Sequence, residues 1–202
     1  MQRRPSLVPD LFHVKRTIVS RSPPSIHTEV CATYTDLDSA QTAALHRLED
    51  EGYSRDSFNE YVEHELTGVP STSWQFGDNV LVHARKGDEV HDVEIETTPN
   101  SLGVRSKPLD SRVTDNLFYV LRTVQDKSGS VHTEIRGIHL SKQGAVAAAR
   151  HELVSGERKQ DWYREYDEAP VSSYDEDAAS QFVVSALGQD GVRYVVSVTY
   201  ET

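Results

Sequence analysis

The chain repeats itself. Residues 11–48 and 117–153 align with a single one-residue gap, and more than a third of the paired positions are identical. Average composition would give about two or three matches over such a length. The shared letters include Leu11, Phe12, Val14, Arg16 and Thr17 against Leu117, Phe118, Val120, Arg122 and Thr123. They continue with His27, Thr28 and Glu29 against His132, Thr133 and Glu134. A period near 105 residues exceeds any solenoid unit and fits a duplicated small domain. Each copy must then bury its own modest core.

Hydrophobic patterning gives each copy the order strand, strand, helix, helix, strand, strand. Phe12, Val14 and Ile18 alternate with His13, Lys15 and Thr17, which is strand period. A polar turn around Pro23 and Pro24 leads to a second strand holding Ile26, Thr28, Val30 and Ala32, so the pair reads as a hairpin. Ala40, Ala43, Ala44 and Leu48 then mark one helical face, repeated as Ala145, Ala148, Ala149 and Leu153, with Asp36 or Asp38 and Ser141 as N-cap candidates. A second, shorter helix is expected over residues 55–65 and 160–168. A closing hairpin turns at Gly87 and Asp88, and its counterpart at residues 188–191.

The expected fold is therefore α+β: two tandem ββααββ modules, each a mainly antiparallel four-stranded sheet with helices on one face, packed as a pseudo-twofold dimer. The expected boundaries are a flexible tail over 1–10, module one over 11–98, a linker over 99–114 and module two over 115–202.

Charge narrows the partners. The net charge is −11, with 10 basic and 17 acidic residues up to position 105 and 11 basic and 15 acidic after it. Both halves are acidic, so a phosphate backbone is repelled and nucleic-acid binding is not expected, mimicry of nucleic acid apart. No apolar run reaches the roughly 20 residues of a membrane span. The only cysteine is Cys31, matched by Arg136 in the second copy, and it points to a reducing, intracellular, cytoplasmic setting.

Polar residues kept in both copies are the ones to explain. An expected hairpin register sets Arg16 opposite Thr28, Thr17 opposite His27 and Lys15 opposite Glu29, with Arg122, Thr123 and Leu121 facing Thr133, His132 and Glu134. It puts Arg16 and Arg122 on the core face, where Glu60 and Glu165 are candidate ion-pair partners. It puts His27, Glu29, His132 and Glu134 on the other face, beside Thr17 and Thr123. A His-x-Glu pair on a strand projects both groups to one side, as an acid–base pair or a metal-ligand pair requires. Ordinary cross-strand pairing explains the same letters, and no metal site or cofactor is expected. His46 and His151 flank the alanine stripe and read as boundary histidines, while Tyr61 and Tyr166 read as core.

No glycine-rich phosphate loop, nucleophile elbow, zinc-protease motif or paired-cysteine motif is present. The favoured reading is a non-enzymatic intracellular interaction module whose acidic surface binds a protein partner or a second copy, through an unpaired sheet edge or the histidine-bearing face. The alternative is a small-ligand-binding or acid–base site at an inter-repeat cleft, with His27, Glu29, His132 and Glu134 as catalytic candidates. Arg16, Arg122, Thr17 and Thr123 would then bind the ligand.

Overall fold

The computed structural model describes residues 8–65, 74–107, 109–154, 159–170 and 180–201. It divides into two compact units, Met1–Thr114 and Asp115–Thr202, which share one arrangement. Unit one runs β1 (Asp10–Arg21), β2 (Pro24–Tyr34), α1 (Leu37–Asp50), β3 (Glu60–Glu63), β4 (Val80–Lys86) and β5 (Glu89–Pro99). Unit two runs β6 (Phe118–Gln125), β7 (Val131–His139), α2 (Lys142–His151), β8 (Tyr163–Glu168), β9 (Ser180–Gly188) and β10 (Arg193–Tyr200). Each sheet is antiparallel and five-stranded, in the orders β2-β1-β5-β4-β3 and β7-β6-β10-β9-β8. The architecture is α+β and duplicated.

Two corrections follow. The expected second helices are instead short 3-10 turns, Arg55–Ser57 and Gln160–Trp162, each leading into an edge strand. The module is thus ββαβββ, and the four-stranded sheet gains a fifth member. Helical spacing is broken because Tyr61 and Tyr166 pack onto the cores while their chain neighbours alternate to the other face at strand period. Two turns of isolated helix would have little stability of their own, whereas an edge strand gains a ladder at once.

The helices cover one sheet face. Asp36 caps α1, its carboxylate accepting from the Ser39 amide at 2.8 Å, and the Ser141 hydroxyl caps α2 through the Gly144 amide at 3.2 Å. Ala40, Ala44 and Leu48, like Ala145, Ala149 and Leu153, are fully buried. Their small side chains let the helix axis approach the sheet against Val14, Val82 and Val93 in one unit and Val120, Val184 and Val196 in the other.

The described residues between 100 and 113 do not hang free of unit one. The Val113 amide donates to the Thr33 carbonyl at 2.8 Å and the Thr35 amide to that of Ser111 at 2.9 Å. The Asn100 side chain closes its own loop onto Val104 at 2.9 and 3.0 Å. Of the expected tail, residues 1–7 lie outside the described residues, and Asp10 already belongs to β1. No helix among the described residues is long and apolar enough to cross a membrane.

Candidate functional site

The hairpin register differs by one residue from the sequence expectation, and that slip carries the polar groups of β2 and β7 to the other face. Arg16 faces Glu29, Thr17 faces Thr28, and Ile18 faces His27. In unit two Arg122 faces Glu134, Thr123 faces Thr133, and Val124 faces His132. A two-residue turn joins Arg21 to Pro24 and fixes this register at the hairpin end. A β-bulge between Val14 and Lys15 leaves Cys31 as the extra residue, and the bulge between Val120 and Leu121 does the same for Arg136. His27 and Glu29 therefore share the helix-covered face with Arg16, contrary to the expected separation, while Thr28 joins Thr17 on the opposite face.

On the helix face each unit builds one ion cluster. The Arg16 guanidinium lies 2.7 Å from Glu29 and hydrogen-bonds Glu51, just beyond α1. Arg47, from α1, reaches Glu51 at 2.5 Å and Glu29 at 3.7 Å. In unit two Arg122 lies 2.7 Å from Glu134 and 3.2 Å from Glu152, while Arg136 reaches Glu152 at 2.6 Å and Glu134 at 3.4 Å. Both clusters hold two guanidiniums and two carboxylates and clamp the second strand of the hairpin to the helix end. Glu60 and Glu165, the expected partners, bind Arg85 at 3.2 Å and Arg164 at 3.3 Å instead.

The second guanidinium comes from the helix in unit one and from the bulge in unit two. Position 31 changes from Cys to Arg in the second copy as position 47 changes from Arg to Glu. With Glu51 replaced by Gly156 as well, the count of two basic and two acidic groups is conserved while its carriers move. That paired change was visible in the alignment of the two copies and is the signature of residues in contact.

The histidines sit above these clusters. His27 is 3.9 Å from Glu29 with its side chain 52% exposed, and His132 is 3.3 Å from Glu134 with its side chain 63% exposed. His27, then Arg16 and Arg47, hold Glu29 below the ordinary carboxylate range against the opposing pull of burial. At Glu134 burial pushes the carboxyl up, but the hydrogen bond and charge of Arg122 prevail and the net shift is downward. Both glutamates are thus fixed as anions with their acceptor oxygens engaged, a poor state for a general base. Among the described residues no group of three or more His, Cys, Asp or Glu has an arrangement suited to holding a metal ion. His46 and His151 are exposed rather than at a boundary.

The opposite face holds Thr17 against Thr28 and Thr123 against Thr133, each hydroxyl pair at 3.0 Å. Lys15, expected as a surface partner of Glu29, is 1% exposed and lies 3.0 Å from Glu94 and 2.6 Å from Glu96. His13 beside it bonds Thr33 at 2.9 Å and Thr98 at 2.7 Å, and burial, helped by Lys15, lowers its pKa to about 3. Their counterparts Tyr119 and Leu121 are also buried. Unit one therefore spends polar pairs where unit two spends apolar area.

The outer strands carry what the sequence reading missed. The His64 amide donates to the Leu81 carbonyl at 2.8 Å, and the equivalent Ala169 amide donates to Val183 at 2.9 Å. Main-chain direction alternates along an antiparallel strand. Tyr61 and Glu63 in β3, and Tyr166 and Glu168 in β8, consequently turn their main-chain N–H and C=O away from the sheet. Among the described residues no strand pairs with either outer edge. Acidic and aromatic side chains flank both: Glu60, Tyr61 and Glu63 at β3, and Trp162, Tyr163, Glu165, Tyr166, Asp167 and Glu168 at β8, with Trp162 54% exposed.

At β3 lies a groove of about 410 Å³, lined by Val62, His64, Trp74 and Phe76 together with the acidic Glu60, Glu63 and Glu65. Trp74 meets His64 edge-on at 4.8 Å between ring centroids and Phe76 at 5.0 Å. Phe76 stacks on His83 at 3.8 Å. The His83 ring in turn bonds Asp92 at 2.6 Å, and burial raises the Asp92 carboxyl above its ordinary range despite that contact.

Fold and site together define a duplicated α+β protein with internally compensated ion clusters and acidic outer edges that no described strand pairs. No protein-family model matches the chain, and no curated protein or solved structure shows significant similarity to it.

Proposed function

We propose that this chain is a non-enzymatic protein-interaction module that pairs through the outer edges of its two sheets with a protein partner or a second copy of itself. The observation that carries the reading is the repetition of one feature in both units: outward main-chain groups on β3 and β8, set among carboxylates and aromatic rings. An unpaired strand edge supplies main-chain hydrogen bonds to an incoming segment, and flanking side chains supply selectivity. The alternative seat of function loses support because His27, Glu29, His132, Glu134, Arg16 and Arg122 are committed to clusters internal to each unit. A reducing, cytoplasmic setting accords with the lone cysteine, Cys31, which is buried in the first core.

The test blocks the edges. Proline at position 63 or 168 removes an outward N–H and leaves the internal ladder intact. Glu63→Pro with Glu168→Pro is expected to keep the fold by circular dichroism and to lose either self-association in sedimentation or the partners captured by the parent chain. Retention of all association in a folded double variant refutes the proposal.

A further inference from the structure

We infer that the β3 groove seats the lysine or arginine side chains of an extended basic segment added to the β3 edge, an inference that rests on the edge-pairing reading. Three carboxylates, Glu60, Glu63 and Glu65, line the groove, and no lysine or arginine is among its lining residues. Arg85 and Arg55 meet Glu60 and Glu63 from outside it, at 3.2 and 2.6 Å, and Glu65 has no ion-pair partner among the described residues. The walls suit a long cationic side chain: the aliphatic stem lies over Val62 and the Trp74 ring while the charged head reaches the carboxylates.

The chain supplies its own precedent one residue away. Arg55 rests 5.0 Å from the centroid of Tyr61 on β3 while bonding Glu63 and Glu49, each at 2.6 Å. That is a guanidinium held by one ring and two carboxylates at this same edge. The groove repeats those ingredients on the other side of the strand, where His83 opposite Val62 stacks on Phe76. Alternate residues of an extended segment project to one face about 7 Å apart. A segment alternating basic and apolar residues would therefore present its basic side chains to the groove in succession. The net charge of −11 draws such a segment in from a distance.

The probe is a blocked peptide of alternating lysine and valine, with a peptide carrying glutamate in place of lysine as control, titrated into the full chain by calorimetry. The lysine peptide is expected to bind and the glutamate peptide not to. Trp74→Ala is expected to weaken binding about tenfold and Glu65→Gln about threefold, with Trp74→Tyr restoring most of the loss and unfolding midpoints unchanged. Equal binding of both peptides, no binding of either, or indifference to Trp74→Ala and Glu65→Gln overturns the inference. Those results leave the edge reading standing if Glu63→Pro with Glu168→Pro still abolishes association. If association survives the proline variants, the edge reading fails on its own.

Discussion

Replacing Arg16 by methionine keeps the aliphatic stem and deletes one guanidinium from the first ion cluster. Glu29 and Glu51 are left with Arg47 between them, and with His27 only when its ring is charged. Removing one partner from a fully buried pair costs about 3–5 kcal/mol. The side chains involved keep 10–21% of their exposure, so water screens part of the penalty and the expected cost is about 2–3 kcal/mol. At roughly 5 °C per kcal/mol for a unit of this size, the midpoint should fall by about 10–15 °C. Arg122→Met should cost less, about 1–2 kcal/mol, because Glu134 is 33% exposed in its cluster. The two tryptophans separate the readouts, since Trp74 belongs to unit one and Trp162 to unit two. Urea unfolding followed by fluorescence in Trp162→Phe and Trp74→Phe backgrounds therefore reports each unit in turn. A loss below about 0.5 kcal/mol for Arg16→Met, typical of an exposed residue, would refute the structural role of the cluster. The retention of Arg16 in both copies would then require a ligand.

Other outcomes follow from the same contacts. Glu29 and Glu134 have lowered pKa values in the folded state, so the stability they contribute is complete above about pH 4.3 and is lost as pH falls through their lowered native values. Acid titration of midpoints should show that loss, reduced in Arg16→Met. His13 is neutral when folded, with its pKa at about 3. Its contribution is whole above about pH 6.5 and declines toward pH 3 by up to about 1.4 kcal/mol per pH unit. The Trp74 signal should register this slope and His13→Tyr, the residue of the second copy, should remove it. Ala149→Leu forces a branched side chain between α2 and its sheet, where Ala149 is fully buried, and should cost about 1–3 kcal/mol in unit two by urea unfolding. In a Glu51→Gly background, Cys31→Arg with Arg47→Glu transfers the charge arrangement of unit two to unit one. Each single change should destabilise more than the pair, and additivity in a double-mutant cycle would show that the two positions do not communicate.

What the sequence carried and what it hid divide along local and non-local lines. The first hairpin, the capped alanine-striped helix and the closing hairpin are written in period, caps and turns, and all are present in both units. Duplication was legible because the polar letters recur with the apolar ones. The edge strands were not legible: Glu60 to Glu63 and Tyr163 to Glu168 are short, acidic and tyrosine-bearing, and local spacing alone suits a helical turn as well as a strand. Only the free edge of β4 or β9 decides between them. Register was lost at a single residue. The bulges at Cys31 and Arg136 are invisible to alternation, and a one-residue slip exchanges the faces of every group beyond it. His27 and Glu29 consequently read as a pair exposed for chemistry, when Glu29 is bound to two arginines. The aromatic groove of Trp74, Phe76 and His64 brings together residues from separate elements, and no spacing rule links them.

Amide hydrogen exchange of the full chain, alone and with a partner recovered by capture, tests the central claim most directly. The N–H groups of Tyr61, Glu63, Tyr166 and Glu168 should exchange freely in the isolated protein and become protected in the complex, with residues 26–29 and 131–134 unchanged. Protection confined to those histidine-bearing segments, with the outer strands still exchanging freely, would contradict it.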